Sequence, residues 1–284
     1  MDDKAELGSK TAKGGFANEK AICEKFNNWK NDIEAQHWLL IMGYDIRKLD
    51  AVNAIQVPTK IKKEDTQKYS ITQEDYEEFI NFKKADAQIR ITIRIGDITK
   101  IENLSLKKAN SNADYNQLDK RTVESYQKIW GFDNEICLWL KLFTGEIIPT
   151  TRKELIGNIK PKDERRLFLT EIPKYIQCKI INFFSSNKIL VVSDIIKGRG
   201  GLSANWMLVT KFNGETETTT WILKEINTVM NFYGCGDVII SPRGSLHIGS
   251  ITAQRKGGTP DPTKLQFKFN PCELFQVDKN NGNG

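Results

Sequence analysis

Residues 85–107 read Ala-Asp-Ala-Gln-Ile-Arg-Ile-Thr-Ile-Arg-Ile-Gly-Asp-Ile-Thr-Lys-Ile-Glu-Asn-Leu-Ser-Leu-Lys. Ile89, Ile91, Ile93 and Ile95 alternate with Arg90, Thr92 and Arg94, the two-residue period of a strand with one buried face. Gly96-Asp97 supplies a turn, and Ile101 to Lys107 reads as a second strand. Side chains two apart share a face, so Asn103, Ser105 and Lys107 are expected on one side and Leu104 and Leu106 in the core. Asp86 falls on the polar face of the first strand, with Gln88 and Arg90. In an antiparallel pair the start of one strand lies beside the end of the next, so Asp86 and Lys107 are expected close together.

A carboxylate and an ammonium placed in this way can hold a divalent cation and a phosphodiester together without any histidine. The same residues also suit an ordinary half-exposed hairpin, with Asp86 and Lys107 a surface ion pair worth under about 1 kcal/mol. The rest of the chain has to decide between the two.

At 284 residues, 39% hydrophobic, with six Trp and fourteen Phe, the chain can fill one large domain or two small ones. No apolar run approaches the roughly 20 residues of a membrane span. Met1-Asp2-Asp3-Lys4 lacks the basic-then-apolar layout of a signal peptide. The expectation is a soluble, cytoplasmic protein with no membrane partner. Cys23, Cys137, Cys178, Cys235 and Cys272 form no Cys-x-x-Cys pair and are odd in number. Reduced thiols fit this better than a disulfide framework or a zinc site. Two histidines, His37 and His247, are too few for chemistry built on paired imidazoles. His37 reads as a packed helix residue. His247 reads as a strand residue among basic residues, for which a structural role is favoured over a DNA contact.

The net charge is +6 and the pI near 8.9. Its placement says more than its size. Basic residues sit among glycines in Lys197-Gly198-Arg199-Gly200-Gly201, Pro242-Arg243-Gly244 and Arg255-Lys256-Gly257-Gly258. Glycine lets the backbone approach a surface closely, and arginine offers a planar fork that suits phosphate or guanine. The pattern favours a polyanionic partner.

Gly14 to about Lys30 has the helical spacing Ile22, Phe26, Trp29, and Glu19 lies along that apolar stripe, either at its rim or aimed at a site. Residues 34–42 continue as helix, and 72–79 has the look of a capped helix start. Residues 119–143 read as one or two helices, and 168–184 as helical in its second half. Lys188 to Ser193 reads as a short buried strand. Further strands are expected at 206–212 and 218–223, a helix at 226–232, and alternating strands and turns from 238 to 275. Residues 279–284 are Asn/Gly-rich and are expected to be disordered. No composition break requires a second domain, so residues 1–278 are read as one.

Six phrases occur in order: Glu6–Lys13 leading into Gly15–Lys20, Asn116–Lys120, Gly198–Gly200, Ser241–Ser245, Gln254–Gly258 and Leu265–Lys268. In these the chain resembles the HinP-type restriction endonucleases, the GCGC cutters, with MspI as a more distant cousin. The resemblance spans most of the chain, apart from what look like insertions near 53–82 and 145–165. It implies an α/β fold with a PD-(D/E)XK nuclease core: a mixed central β-sheet flanked by α-helices, with C-terminal β-hairpins that recognise DNA.

The implied function is that of a type II restriction endonuclease. Such an enzyme hydrolyses double-stranded DNA at a short palindrome, GCGC by resemblance, with one or two Mg²⁺ per active site. The family carries Ser-Asp and then Gln-x-Lys; here the matching positions are Ala85-Asp86 and, after eighteen intervening residues, Ser105-Leu106-Lys107. Asp86, Ser105, Lys107 and Glu19 are thus the implied catalytic group. Asp86, Glu19 and the carbonyl of Leu106 are the implied metal ligands. Base contacts are implied at Gln117 and Lys120 and in the later basic hairpins at Arg243, Arg255 and Lys256. Lys197, Arg199 and Lys268 are read as phosphate contacts. Alanine and serine replace the family's serine and its acidic residue or glutamine, and a neutral hydroxyl is the weaker magnesium ligand. A cognate methyltransferase belongs to such a system, and the enzyme would act as monomer or homodimer. Two other readings stay open: a DNA-binding protein without catalysis, and a structure-selective nickase on the same fold.

Overall fold

The computed structural model describes residues 17–58, 61–69, 71–79, 87–109, 115–213, 215–256 and 263–277. Ala85, Asp86, Gly257, Gly258 and the 279–284 tail lie outside the described residues. The chain divides into two compact units. Of the described residues, the first contains those from 17 to 114, 196–232 and 271–277; the second contains 115–195 and 233–270.

The first unit is organised by the opening hairpin. Strands β1 (Ala51–Gln56), β2 (Ala87–Ile95), β3 (Ile98–Ala109), β5 (Trp206–Asn213) and β6 (Thr218–Glu225) form one sheet in the order β1-β2-β3-β5-β6. The β3–β5 pair is parallel and the others are antiparallel, so the sheet is mixed. Ile95 pairs with Ile98 across the expected turn, and Gly96 takes the positive φ (+56°) that the reversal needs. Ile89, Ile91 and Ile93 are fully buried, packed with Leu104, Leu208 and Leu223 against Phe26, Trp38 and Leu39. Phe26 belongs to α1, helical over 17–27, and the other two to α2 (Ile33–Ile41). The Phe26 and Trp38 rings lie 5.2 Å apart, and Trp38 meets Trp221 edge-on at 5.7 Å. His37 is in α2 as expected, but it is exposed, because Trp38 and Leu39 take the buried face.

Two corrections concern this sheet. Strand β1 falls in a stretch the sequence left without a pattern; it pairs with β2 from Ala51↔Arg94 to Gln56↔Ile89. The polar face of the hairpin is not half-exposed either. Arg90, Asn103, Ser105 and Lys107 retain 5%, 6%, 0% and 5% of their accessible surface. The reason is tertiary. Asn103 donates to the carbonyls of Gly201 (3.0 Å) and Ser203 (2.9 Å), and Arg90 donates to Gly201 at 2.9 Å. The glycine-rich basic loop therefore folds down over the hairpin.

The second unit holds an antiparallel sheet in the order β4-β10-β9-β8-β7. Its strands are β4 (Asn116–Arg121), β7 (Val238–Ile240), β8 (Leu246–Ile248), β9 (Ile251–Arg255) and β10 (Leu265–Phe269). Helices α4 (Val123–Trp130), α5 (Asn134–Thr144), α7 (Lys174–Ser186) and α8 (Lys188–Ile196) accompany it, with the short α6 (Lys153–Ile156) between. Its core is aromatic: Tyr126 stacks on Trp130 at 4.4 Å, and Phe267 meets both edge-on.

Residues 188–196 are helix α8, not the strand that their β-branched run suggests. Ile189 is 82% exposed, whereas Val191, Val192, Ile195 and Ile196 are buried. That spacing is helical. A short apolar run does not distinguish helix from strand by itself, and packing decided here: Gly234 lies against Val192. From the same helix, Asp194 accepts from Arg121 (3.1 Å) and from the Trp130 indole (3.0 Å).

Candidate active site and nucleic-acid interface

In the first unit one end of the sheet gathers several of the expected residues. Register places Ala87 opposite Ser105 and Ile89 opposite Leu104, so Gln88 is the extra residue of a β-bulge. The Gln88 Oε1 accepts from the Leu106 backbone amide at 2.7 Å. Asp86 itself lies outside the described residues. Ser105 is fully buried, and among the described residues its hydroxyl has no hydrogen-bond partner. Lys107 is buried two residues on.

Glu19 reaches this end from α1. Its helix is pinned twice. The Asn27 side chain clasps the backbone of Ala54, accepting from its amide at 2.7 Å and donating to its carbonyl at 3.0 Å; Asn18 donates to Thr210 at 3.1 Å. Glu19 is half-buried beside Ile22 and Cys23, as its position on the apolar stripe implied. Burial pushes its carboxyl above the usual carboxylate range, against a Gln56 hydrogen bond (3.4 Å) and the nearby Lys107 ammonium. Glu19, Ser105, Leu106 and Lys107 thus converge. Sequence reading missed Gln56 and Gln88, which hold two of them. Neither carries a motif, and only the register of β1 and β2 brings them there.

The donors at this end are a carboxylate, a hydroxyl and a peptide carbonyl, all oxygen, which is the set a hard dication takes. Among the described residues no three His, Cys, Asp or Glu side chains gather as a metal cluster. Lys197 and Arg199 belong to this unit. Both are half-buried in the loop that Asn103 and Arg90 hold, with Lys197's carbonyl accepting from Ala204 at 2.8 Å.

The remaining expected DNA contacts lie in the second unit. Gln117 and Lys120 are on β4, an edge strand that pairs with β10. Gln266 donates to Gln117 at 2.8 Å. Arg243 is exposed at the tip of a β-turn in which Gly244 donates to Ser241 at 2.8 Å. Proline presets the turn. Gly244 has φ +77°, and a Cβ there would lie 2.6 Å from Phe168, so glycine is required twice over. Arg255 and Lys256 end β9, half-buried, and Lys256 donates to the Lys264 carbonyl at 2.8 Å. Burial and the Lys256 charge lower the Lys268 pKa. Arg243, Lys268, Tyr115, His247, Thr252 and Gln254 all face one open cleft.

Residues 76–275 match the family model described as R.HinP1I restriction endonuclease. The chain belongs to that family. It is a type II restriction endonuclease, a site-specific deoxyribonuclease. The match includes the hairpin, β4 and all the C-terminal basic phrases, and begins after the phrase at 6–20. The chain is also similar to the crystal structure of restriction endonuclease MspI in complex with its cognate DNA. That likeness covers 88% of this chain and 87% of that one, at 11% sequence identity and a TM-score of 0.54. At such low identity the likeness is one of fold, a mixed α/β fold consistent with the nuclease core expected from the sequence. No curated protein matches the chain in sequence. Among the described residues no helix is long and apolar enough to cross a membrane.

Proposed function

We propose that this endonuclease hydrolyses double-stranded DNA at a short palindromic site, GCGC, with magnesium, and that its active site is the sheet end carrying Glu19, Asp86, Ser105, Leu106 and Lys107. One observation supports the reading: the half-buried Glu19 carboxylate lies near buried Lys107, on the same strand as buried Ser105, whose hydroxyl has no hydrogen-bond partner among the described residues. A buried hydroxyl left so is costly unless a ligand uses it, and perturbed carboxylates cluster at functional sites.

Asp86, Glu19 and the Leu106 carbonyl would hold the metal, with the Ser105 hydroxyl at its margin. A bound magnesium ion supplies charge neutralisation at the phosphate and lowers the pKa of water. Lys107 orients or deprotonates the attacking water and offsets the negative charge that develops on the phosphate. Gln88 fixes the peptide of Leu106, and Gln56 holds the Glu19 carboxylate. Bases are read by Gln117, Lys120, Arg243, Arg255 and Lys256, while Lys197, Arg199 and Lys268 meet phosphates. The enzyme acts in the cytoplasm beside a methyltransferase that protects the host, as monomer or homodimer.

Incubating plasmid with the protein and Mg²⁺, with and without chelator, tests this. Discrete fragments that disappear with chelator, and whose sequenced ends share GCGC, are the expected result. Nicked circles alone would favour a nickase, and retardation without cutting a non-catalytic binder.

A further inference from the structure

The polar face of the second unit's sheet is ordered in rows. Register pairs His247 with Thr252, Thr252 with Lys268, and Lys268 with Gln117, so these four lie in line across β8, β9, β10 and β4. The next row runs Gln254, Gln266, Lys120. Directly paired residues share a face. The opposite face, with Leu246, Ile248, Ile251, Ala253, Leu265 and Phe267, is buried. Four strands at about 4.8 Å spacing span roughly 14 Å, close to the length of four base pairs at about 3.4 Å each. Strand β8 has three residues, about 10 Å at ~3.4 Å per residue, within the ~12 Å width of a major groove.

Most of this face carries donors that suit anionic or acceptor groups. His247 differs. It is half-buried, it lines the same cleft as Arg243 and Lys268, and the Thr252 hydroxyl lies 3.4 Å from its Nδ1. Burial lowers its pKa below the ordinary value, so at neutral pH the ring is uncharged, with one donor and one acceptor nitrogen. Thr252 engages one of them, and the partner Thr252 takes at Nδ1 decides what Nε2 offers. An uncharged ring has no Coulombic attraction to phosphate. It suits a base edge, where a hydrogen bond is made or lost with the sequence.

We propose that His247, oriented by Thr252, is a specificity-determining residue of this endonuclease that reads a base edge through Nε2. This rests on the sequence-specific DNA reading above.

The test is fluorescence anisotropy with the full chain in chelator, using a duplex carrying GCGC (or the site recovered from the digest ends) and a duplex of equal length without it. Wild-type protein should prefer the first. His247→Ala should weaken that binding on the order of 10- to 100-fold, leave the site-free duplex unchanged and keep the same slope of log Kd against log salt. Thr252→Val, which removes the orienting hydroxyl and keeps the volume, should reproduce part of the loss. His247→Phe, similar in shape and without a hydrogen-bonding nitrogen, covers the case in which the alanine variant fails to fold. Equal losses on both duplexes, or full discrimination retained in folded His247→Phe and Thr252→Val, would overturn the inference and leave the nuclease reading standing. A wild-type protein that prefers neither duplex would instead defeat the sequence-specific reading itself.

Discussion

The Leu106 backbone amide donates to the Gln88 side chain at 2.7 Å, across a bulge that leaves Gln88 without a partner residue on β3. An amide held by a side chain rather than by the ladder fixes the Ser105–Leu106 peptide plane, and so anchors the residue whose own carbonyl is the proposed ligand. Gln88 is thereby a positioning residue for the proposed ligand at Leu106.

Gln88→Ala should lower magnesium affinity about 10-fold or more, as losses of supporting shells around a metal do, while costing only about 1 kcal/mol of stability. Titrating Mg²⁺ against cleavage rate, alongside a denaturant midpoint, separates the two effects.

Lys107→Ala should keep DNA binding and lose cleavage by several orders of magnitude. Gel retardation in chelator and a plasmid time course in Mg²⁺ measure the two sides. Cutting at the wild-type rate would refute the role given to this lysine.

Ser105→Ala removes a buried hydroxyl that has no partner among the described residues. An unsatisfied buried group costs about 1–3 kcal/mol, so the variant should melt at or above the wild-type temperature in chelator. The rise in melting temperature that Mg²⁺ gives to the wild type should shrink. A variant that melts well below the wild type would mean the hydroxyl is already satisfied.

In the second unit, Asp194 accepts from both Arg121 and Trp130, and Asp119 pairs with the same guanidinium at 3.0 Å. The three ionic side chains are almost wholly buried. Asp194→Ala breaks such a pair from one side and should cost about 3–5 kcal/mol. Urea unfolding of the variant checks it. A loss under about 1 kcal/mol would show the group to be far better solvated than its burial implies.

Burial, with Glu19 and Glu24 nearby, pushes the Cys23 thiol up to about 12. The thiolate is the reacting form, so Cys23 should resist alkylation at pH 8 in the folded protein, while exposed Cys178 and Cys235 label. Peptide mapping after iodoacetamide treatment reads this directly.

Much of this was legible in the chain. The two-residue alternation of Ile89 to Ile95 implies the hairpin without further help, because strand side chains have only two faces to occupy. Glu19, three residues before Ile22, is placed by helical spacing along the apolar stripe, at its rim or aimed at a site, and it is half-buried in the structure. Lys188 to Ser193 was misread because valine and isoleucine suit both structures, and the choice lay with Arg121 and Trp130, distant in sequence and waiting for Asp194. The burial of Arg90 and Asn103 was equally hidden, since the carbonyls they donate to, at Gly201 and Ser203, lie about a hundred positions on.

Periodicity, charge placement and ordered phrases are local properties, and by themselves they determined the family and the α/β fold and marked the segments proposed to bear chemistry. Register is not local. Which glutamine steadies Leu106, whether the hairpin's polar face meets water, and how His247 falls into line with Thr252, Lys268 and Gln117 were decided only when the strands paired. Each of those relationships joins side chains whose separation along the chain carries no signal of their approach in space.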